Sequence, residues 1–212
     1  MANPTQLWVL AGGNGAGKST FYYLYLAKYG IKFVNADLIA KDIDSENPEG
    51  LSYYAATVAA KIREDLISEG VSFCFETVFS HESKIDFLAQ AKANGFKIIL
   101  VYIHLFDSSL NEARVKQRVA EGGHSVPPEK IHSRIPRTMQ NIKTALSIVD
   151  EARILDNSSK DDPFQQIIVM KYGNYETKAD PLPVWAKNLL PTLGSGGRAE
   201  ENGTSLRFRN PP

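Results

Sequence analysis

The run Gly12, Gly13, Asn14, Gly15, Ala16, Gly17, Lys18, Ser19, Thr20 (GGNGAGKST) decides how the rest of the chain is read. It meets the pattern G-x-x-x-x-G-K-[ST] through Gly12, Gly17, Lys18 and Ser19. An apolar run (LWVLA, residues 7–11) precedes it and residues 21–29 read as a helix, so the motif sits in a strand–loop–helix context. Backbone N–H groups that converge on phosphate oxygens need side chains out of the way, which glycines allow. The helix that begins at the loop adds the positive end of its dipole. Residues 12–20 are therefore expected to cradle a nucleoside triphosphate, with Lys18 on the β- and γ-phosphates and the Ser19 hydroxyl on Mg²⁺. The alternative is a glycine-rich turn that meets all four positions and both flanks by coincidence.

Working outward, 212 residues allow one α/β domain with a sizeable core, or less readily two small ones. Lys plus Arg equals Asp plus Glu at 24 each, so the global field recommends neither nucleic acid nor an anionic membrane. Charge is uneven locally: residues 114–143 carry seven basic side chains against Glu121 and Glu129. The lone Cys74 excludes an internal disulfide framework and fits a reducing compartment. No apolar run approaches membrane-spanning length and residues 7–11 are too short for a signal peptide, so a cytoplasmic location is expected.

Apolar strands are expected at residues 31–35 (IKFVN), 71–79 (VSFCFETVF), 96–105 (FKIILVYIHL) and 152–155 (ARIL), the third of these central. Helices are expected at 51–68, 82–94, 109–120 and 129–149, and a short one at 184–190. Residues 164–178 read as a hairpin about Gly173-Asn174. From residue 193 the chain is rich in Gly, Asn and Ser without periodicity and is expected to be a disordered tail, leaving one domain over 1–192. Strands alternating with helices imply a parallel sheet covered on both faces, with ligands at the carboxyl ends of its strands. The phosphate loop, Asp37 and Glu76-Thr77 then share one rim.

Phosphoryl transfer to an alcohol needs a carboxylate near the acceptor hydroxyl and cations that follow the migrating charge. Asp37 sits past the second strand, where that carboxylate belongs, although it could equally be the N-cap of a helix beginning near Leu38. Glu76, an acid amid Cys74, Phe75, Val78 and Phe79, needs a partner; it could ligate Mg²⁺ through water or bind substrate hydroxyls. Arg114 and Arg118 lie one helical turn apart before Gly122-Gly123, and Arg134 follows on the next helix, which describes a lid over about 107–140 that closes on phosphates. On that helix Arg134 lies about 95° from the centre of the apolar stripe and Arg137 about 155° away, so Arg134 borders the buried face and Arg137 leans to solvent. Surface arginines on amphipathic helices are the competing explanation.

The series GGNGAGKST, VNADLIA, FCFETVFS, RVKQRVAEGGHSVPPEKIHSRIPR and ILDNSS resembles the zeta-toxin-like P-loop kinases, and in particular their solitary UDP-N-acetylglucosamine kinase-like branch. The resemblance implies an α/β three-layer sandwich of the P-loop kinase type. Its parallel core would have five strands in the order 2-3-1-4-5, with a helical lid and the C-terminal hairpin. It matches the family's general base to Asp37, its strand-three acid to Glu76 beside Thr77, and its phosphate-contacting arginines to Arg118 and Arg134, with Arg114 and Arg137 as weaker matches. It further implies ATP or GTP with Mg²⁺, a sugar-nucleotide hydroxyl as acceptor, and an antitoxin as a possible partner. Two other readings stay open: a kinase for an antibiotic, sugar or nucleoside, and a nucleotide-binding switch without small-molecule turnover.

Overall fold

The structure, a computed structural model, describes residues 4–123 and 125–190. The expected tail from residue 193 and His124 lie outside the described residues. Among the described residues seven strands form one sheet: β1 (Gln6–Ala11), β2 (Lys32–Val34), β3 (Phe73–Thr77), β4 (Lys97–His104), β5 (Glu151–Asp156), β6 (Gln165–Lys171) and β7 (Asn174–Thr177). Their order is β2-β3-β1-β4-β5-β6-β7. The first five are parallel in the expected order 2-3-1-4-5, and β6 and β7 add the hairpin antiparallel to β5. The most apolar run, β4, is in the middle of the sheet.

That run is apolar because both of its faces are covered. Ile98, Leu100 and Tyr102 join Phe73, Phe75 and Val9 in one core, whereas Ile99, Val101 and Ile103 join Phe21, Tyr25 and Leu10 in the other. Truncating a side chain such as Leu100 to alanine would cost about 2–5 kcal/mol, so the central strand is rigidly seated. The helices α1 (Lys18–Phe21), α2 (Ala36–Ile43), α3 (Ser52–Ser68), α4 (Ser83–Ala93), α5 (Ser108–Ala120), α6 (Pro128–Ala145) and α7 (Val184–Lys187) connect and cover the strands. Parallel register brings Ala11, Thr77 and Tyr102 level, and His104 level with Asp156. All the loops that can carry a site therefore emerge on one rim.

Several elements depart from the sequence reading. Residues 21–29 are helical but not one α-helix: α1 gives way to a π-helical turn (Tyr22–Leu26) and a 3₁₀ turn (Ala27–Tyr29). The wide turn lets Tyr22 stack on Phe33 with ring centres 3.9 Å apart, while Tyr25 meets Phe21 at 4.7 Å. On α3 the buried residues are Ala55, Ala59, Leu66 and Ile67, and Tyr54 is exposed, because the alanines form the close-packed face. The expected strand over 31–35 closes at Val34, and the helix expected to run to 149 ends at Ala145. Among the described residues no helix is long and apolar enough to cross a membrane.

Candidate active site

The phosphate loop leaves β1 at Ala11 and enters α1 at Lys18. Gly17 has φ 96°, and a Cβ there would lie 2.6 Å from Asn157 Nδ2. Gly15 has φ 76°, and a Cβ there would lie 2.7 Å from the Asn111 carbonyl. Glycine is thus demanded twice over, by left-handed backbone and by neighbours that press on the loop. Those neighbours also tie it down. Asn111 Nδ2 donates to the Asn14 carbonyl at 2.7 Å, and Asn157 Nδ2 donates to the Ala16 carbonyl at 2.9 Å. With two carbonyls held from behind, the loop amides are left to face outward. Among the described residues those of Gly15, Gly17, Lys18 and Ser19 donate no hydrogen bond.

One carboxylate organises the rim. Glu76, at the end of β3, accepts from Ser19 Oγ at 2.5 Å and from Asn35 Nδ2 at 2.8 Å, and lies 3.6 Å from Lys18 Nζ. Lys18, 6% exposed, also donates to the Gly13 carbonyl at 2.9 Å. The acid that sat oddly in an apolar strand therefore has a cation and two donors, which is what burial requires of it. A triphosphate would present Lys18 and Ser19 with the same kind of acceptor that Glu76 presents now. The Ser19 hydroxyl and the Glu76 carboxylate are adjacent hard oxygen donors of the type Mg²⁺ takes, so these residues fit a magnesium nucleotide. Glu76 also adds its charge to the burial that raises the pKa of the Cys74 thiol. Cys74 is a buried core residue two positions before Glu76 on β3.

Asp37 does not end a strand and is not a cap. The cap is Asn35, in extended conformation, whose Oδ1 accepts from the amides of Asp37 at 2.8 Å and Leu38 at 3.2 Å. Asn35 is the better placed of the two because its other amide atom reaches Glu76, so one side chain starts α2 and joins it to the loop. Asp37 falls in the first turn of α2 and is exposed. Its carboxylate has no hydrogen-bond or ion-pair partner among the described residues. Thr77 uses its hydroxyl oxygen to accept from the Phe79 amide at 3.0 Å, which shapes the turn after β3, where Phe79 has φ 65°.

The arginines divide. Arg134, on α6, reaches Asn14 Oδ1 at 3.4 Å and so arrives at the loop. Arg114, on α5, donates to the Asn157 carbonyl at 2.8 Å and bridges the loop's two flanks; burial lowers its pKa, and nearby Asp156 works against that shift. Arg118 is half-buried one turn further along α5, with its stem against Gly123: a Cβ there would lie 2.5 Å from Arg118 Cγ. Arg137 is not brought to the site. It is exposed and donates to the Ser133 carbonyl of its own helix at 3.3 Å, as its angle on α6 foretold. The second half of α6 is anchored to the turn after β3 by Thr138, donating to the Val78 carbonyl at 2.9 Å, and Asn141, donating to the Phe79 carbonyl at 3.0 Å.

Sequence reasoning assigned no role to Asn35, Asn111 or Asn157. For Asn35 a signal existed, an asparagine immediately before the helix. Asn111 and Asn157 act across 97 and 141 residues of chain and leave no local trace.

The family and the fold have counterparts among known proteins. The sequence model of the AAA domain matches residues 7–141. The chain belongs to that family. An uncharacterized protein of Haemophilus influenzae is 32% identical over 136 residues, which cover 61% of this chain and 96% of that protein. Among solved structures, the AvrRxo1-ORF1:-ORF2 complex with ATP superposes with a TM-score of 0.72 at 18% identity, over 92% of this chain. The chain spans 66% of the length of that structure's chain, just under two thirds. The PezAT toxin–antitoxin system of Streptococcus pneumoniae gives 0.61 at 14% identity, covering 89% of this chain and 84% of that one. A putative kinase from Chloroflexus aurantiacus gives 0.52 at 14% identity, over 64% and 80%. The architecture is that of the P-loop kinases.

Proposed function

We propose that this chain is a kinase that moves the γ-phosphoryl group of ATP or GTP, with Mg²⁺, to an alcohol of a small molecule. The first acceptor to test is UDP-N-acetylglucosamine. The observation that carries the reading is the Glu76 junction, which ties Lys18 and Ser19 of the phosphate loop to Asn35 and hence to the helix that bears Asp37. In this reading the outward loop amides and Lys18 hold the triphosphate, and Ser19 and Glu76 hold the metal, which supplies charge neutralisation across the phosphates when bound. Asp37, with its carboxylate unengaged, orients the acceptor hydroxyl and takes its proton. Arg134 and Arg118, with Arg114 behind them, meet the charge on the transferring group. The segment over about 107–140 acts as the lid; what supports this is the contact of α5 and α6 with the loop through Asn111 and Arg134.

The test is incubation of the full chain with γ-labelled ATP, Mg²⁺ and a panel of nucleotide sugars, sugars and nucleosides. Label should pass to one acceptor and be lost in Asp37→Asn by at least about 100-fold, with nucleotide affinity nearly unchanged. Near-native turnover in Asp37→Asn would remove the base assignment. A protein partner of the antitoxin kind is the second reading, supported by neighbours that are described as an ORF1:ORF2 pair and a toxin–antitoxin system. Hydrolysis of ATP with no acceptor in the panel would favour it.

A further inference from the structure

Two cations that the site above does not use meet on the β2–β3 side of the rim: Arg63 of α3 and Lys84 in the first turn of α4, both half-buried. The Arg63 guanidinium sits 5.1 Å from the centre of the Phe75 ring and 5.4 Å from that of Phe87. Those rings meet edge to face, with centres 5.4 Å apart, so the guanidinium rests in a fixed aromatic corner. Lys84 lies one turn before Phe87 on the same face of α4, which brings its ammonium to that corner. Among the described residues neither cation makes a hydrogen bond or an ion pair, and Arg63 Nε is closed off without an acceptor. The acids of the two helices do not answer them. Glu64 is exposed at the next position, Asp65 is held 2.8 Å from Lys61, and Glu82 and Asp86 stand two positions either side of Lys84, where helical side chains face apart. Burial lowers the pKa of both cations, Glu64 offsets the fall at Arg63, and the Arg63 charge deepens it at Lys84.

Two like charges held together in partly dry surroundings are unfavourable until an anion joins them. The chemistry selects which anion. A carboxylate has two oxygens, both taken by a guanidinium fork, whereas a phosphate keeps a further oxygen for the point charge of Lys84. We infer that Arg63 and Lys84 form a second anion site, separate from the phosphate loop, that takes a phosphate group carried by the acceptor. Position supports the assignment. Phe75 is level with Val34 and precedes Glu76, and from Val34 the chain passes through Asn35 into the helix that bears Asp37. The pair is thus on the same side of β1 as Asp37 and Glu76, whereas Arg114 and Asn157 follow β4 and β5 on the other side. The part played by the acceptor rests on the function proposed above; phosphate binding at the pair does not. An acceptor of this kind reaches the enzyme already phosphorylated, so a phosphoryl- or nucleotidyl-transfer reaction must supply it.

The experiment titrates sodium phosphate into the full chain with the loop filled by Mg²⁺ and a non-hydrolysable ATP analogue. NMR follows the Arg63 Nε–H and the backbone amides, with sodium chloride at equal ionic strength as the control. The Arg63 Nε–H and the amides of residues 82–85 should shift saturably with phosphate and stay put with chloride. Lys84→Met should weaken this binding at least about tenfold. In turnover the same variant should raise KM for a phosphate-bearing acceptor more than it lowers kcat, with nucleotide affinity kept. An unmoved Arg63 Nε–H, equal shifts with chloride, or undiminished phosphate binding in Lys84→Met would overturn the inference. So would transfer to a phosphate-free acceptor at a rate that Lys84→Met leaves intact, an outcome that keeps the kinase reading. Phosphate bound at Arg63 with no transfer to any acceptor would sink only the function proposed above.

Discussion

Replacing Asn157 by alanine tests whether the phosphate loop is held from behind. The side chain makes two bonds in closed surroundings: Nδ2 donates to the Ala16 carbonyl at 2.9 Å and Oδ1 accepts from the Phe164 amide at 3.2 Å. Ala16 is 0% and Phe164 8% exposed, so in the variant a carbonyl and an amide lose their partners where water enters poorly. Each orphaned group costs about 1–3 kcal/mol, so the loss from the two is about 2–6 kcal/mol. At about 2–4 °C per kcal/mol for a chain of this size, the thermal midpoint should fall by roughly 10 °C. Nucleotide affinity should fall about tenfold as well, since Asn157 also fills the space over Gly17 and keeps the amides outward. The assay is a thermal melt with and without ATP and Mg²⁺, plus calorimetric titration of the nucleotide. Asn157→Asp is the informative partner variant. It keeps the acceptor for Phe164 but sets a carboxylate oxygen against the Ala16 carbonyl, so it should be at least as damaging as alanine. If Asn157→Ala melts within about 2 °C of the natural chain and binds nucleotide equally well, the loop is not supported this way.

Other substitutions separate binding from chemistry. Lys18→Met should weaken ATP by at least about tenfold in calorimetric titration and abolish transfer, because the ammonium that meets Glu76 would meet the phosphates. Glu76→Gln keeps one acceptor oxygen, which Ser19 and Asn35 already share, but removes the charge beside Lys18 and the proposed metal. The fold should survive, and the Mg²⁺ concentration for half-maximal rate should rise by about tenfold or more. His104, whose Nδ1 faces the Tyr102 hydroxyl at 2.9 Å, has its pKa pushed down by burial to about 4 from an ordinary 6.5, against the pull of Asp156. The unfolded chain then binds the extra proton, so this contribution is complete above about pH 6.5 and fades as the pH falls towards about 4. It amounts to about 2–3 kcal/mol, and urea unfolding at pH 7 and pH 4.5 should show that loss in the natural chain and not in His104→Gln.

What could be read beforehand depended on whether the cause was local. The loop at 12–20 announces itself because glycine, lysine and serine are each needed by their own backbone position. The hairpin at Gly173-Asn174 does so because a tight turn needs those residues. The order 2-3-1-4-5 came from family likeness and was observed as expected. The π-helical turn after α1 was not legible, since it answers to Phe33 and Phe164, which lie outside that helix. The sequence reading puts Asp37 and Glu76 on one rim, but the piece that joins them, Asn35, is overlooked because the capping alternative is considered only for Asp37. That error has a physical origin: Asp and Asn cap equally well, and only the donor half of an amide can also satisfy a carboxylate. The same chemistry recurs at Asn111 and Asn157, where an amide donates to a loop carbonyl that a carboxylate would repel. Three asparagines therefore frame a loop whose ligand is anionic, supplying bonds to its surroundings without adding a negative charge that would compete with the phosphates.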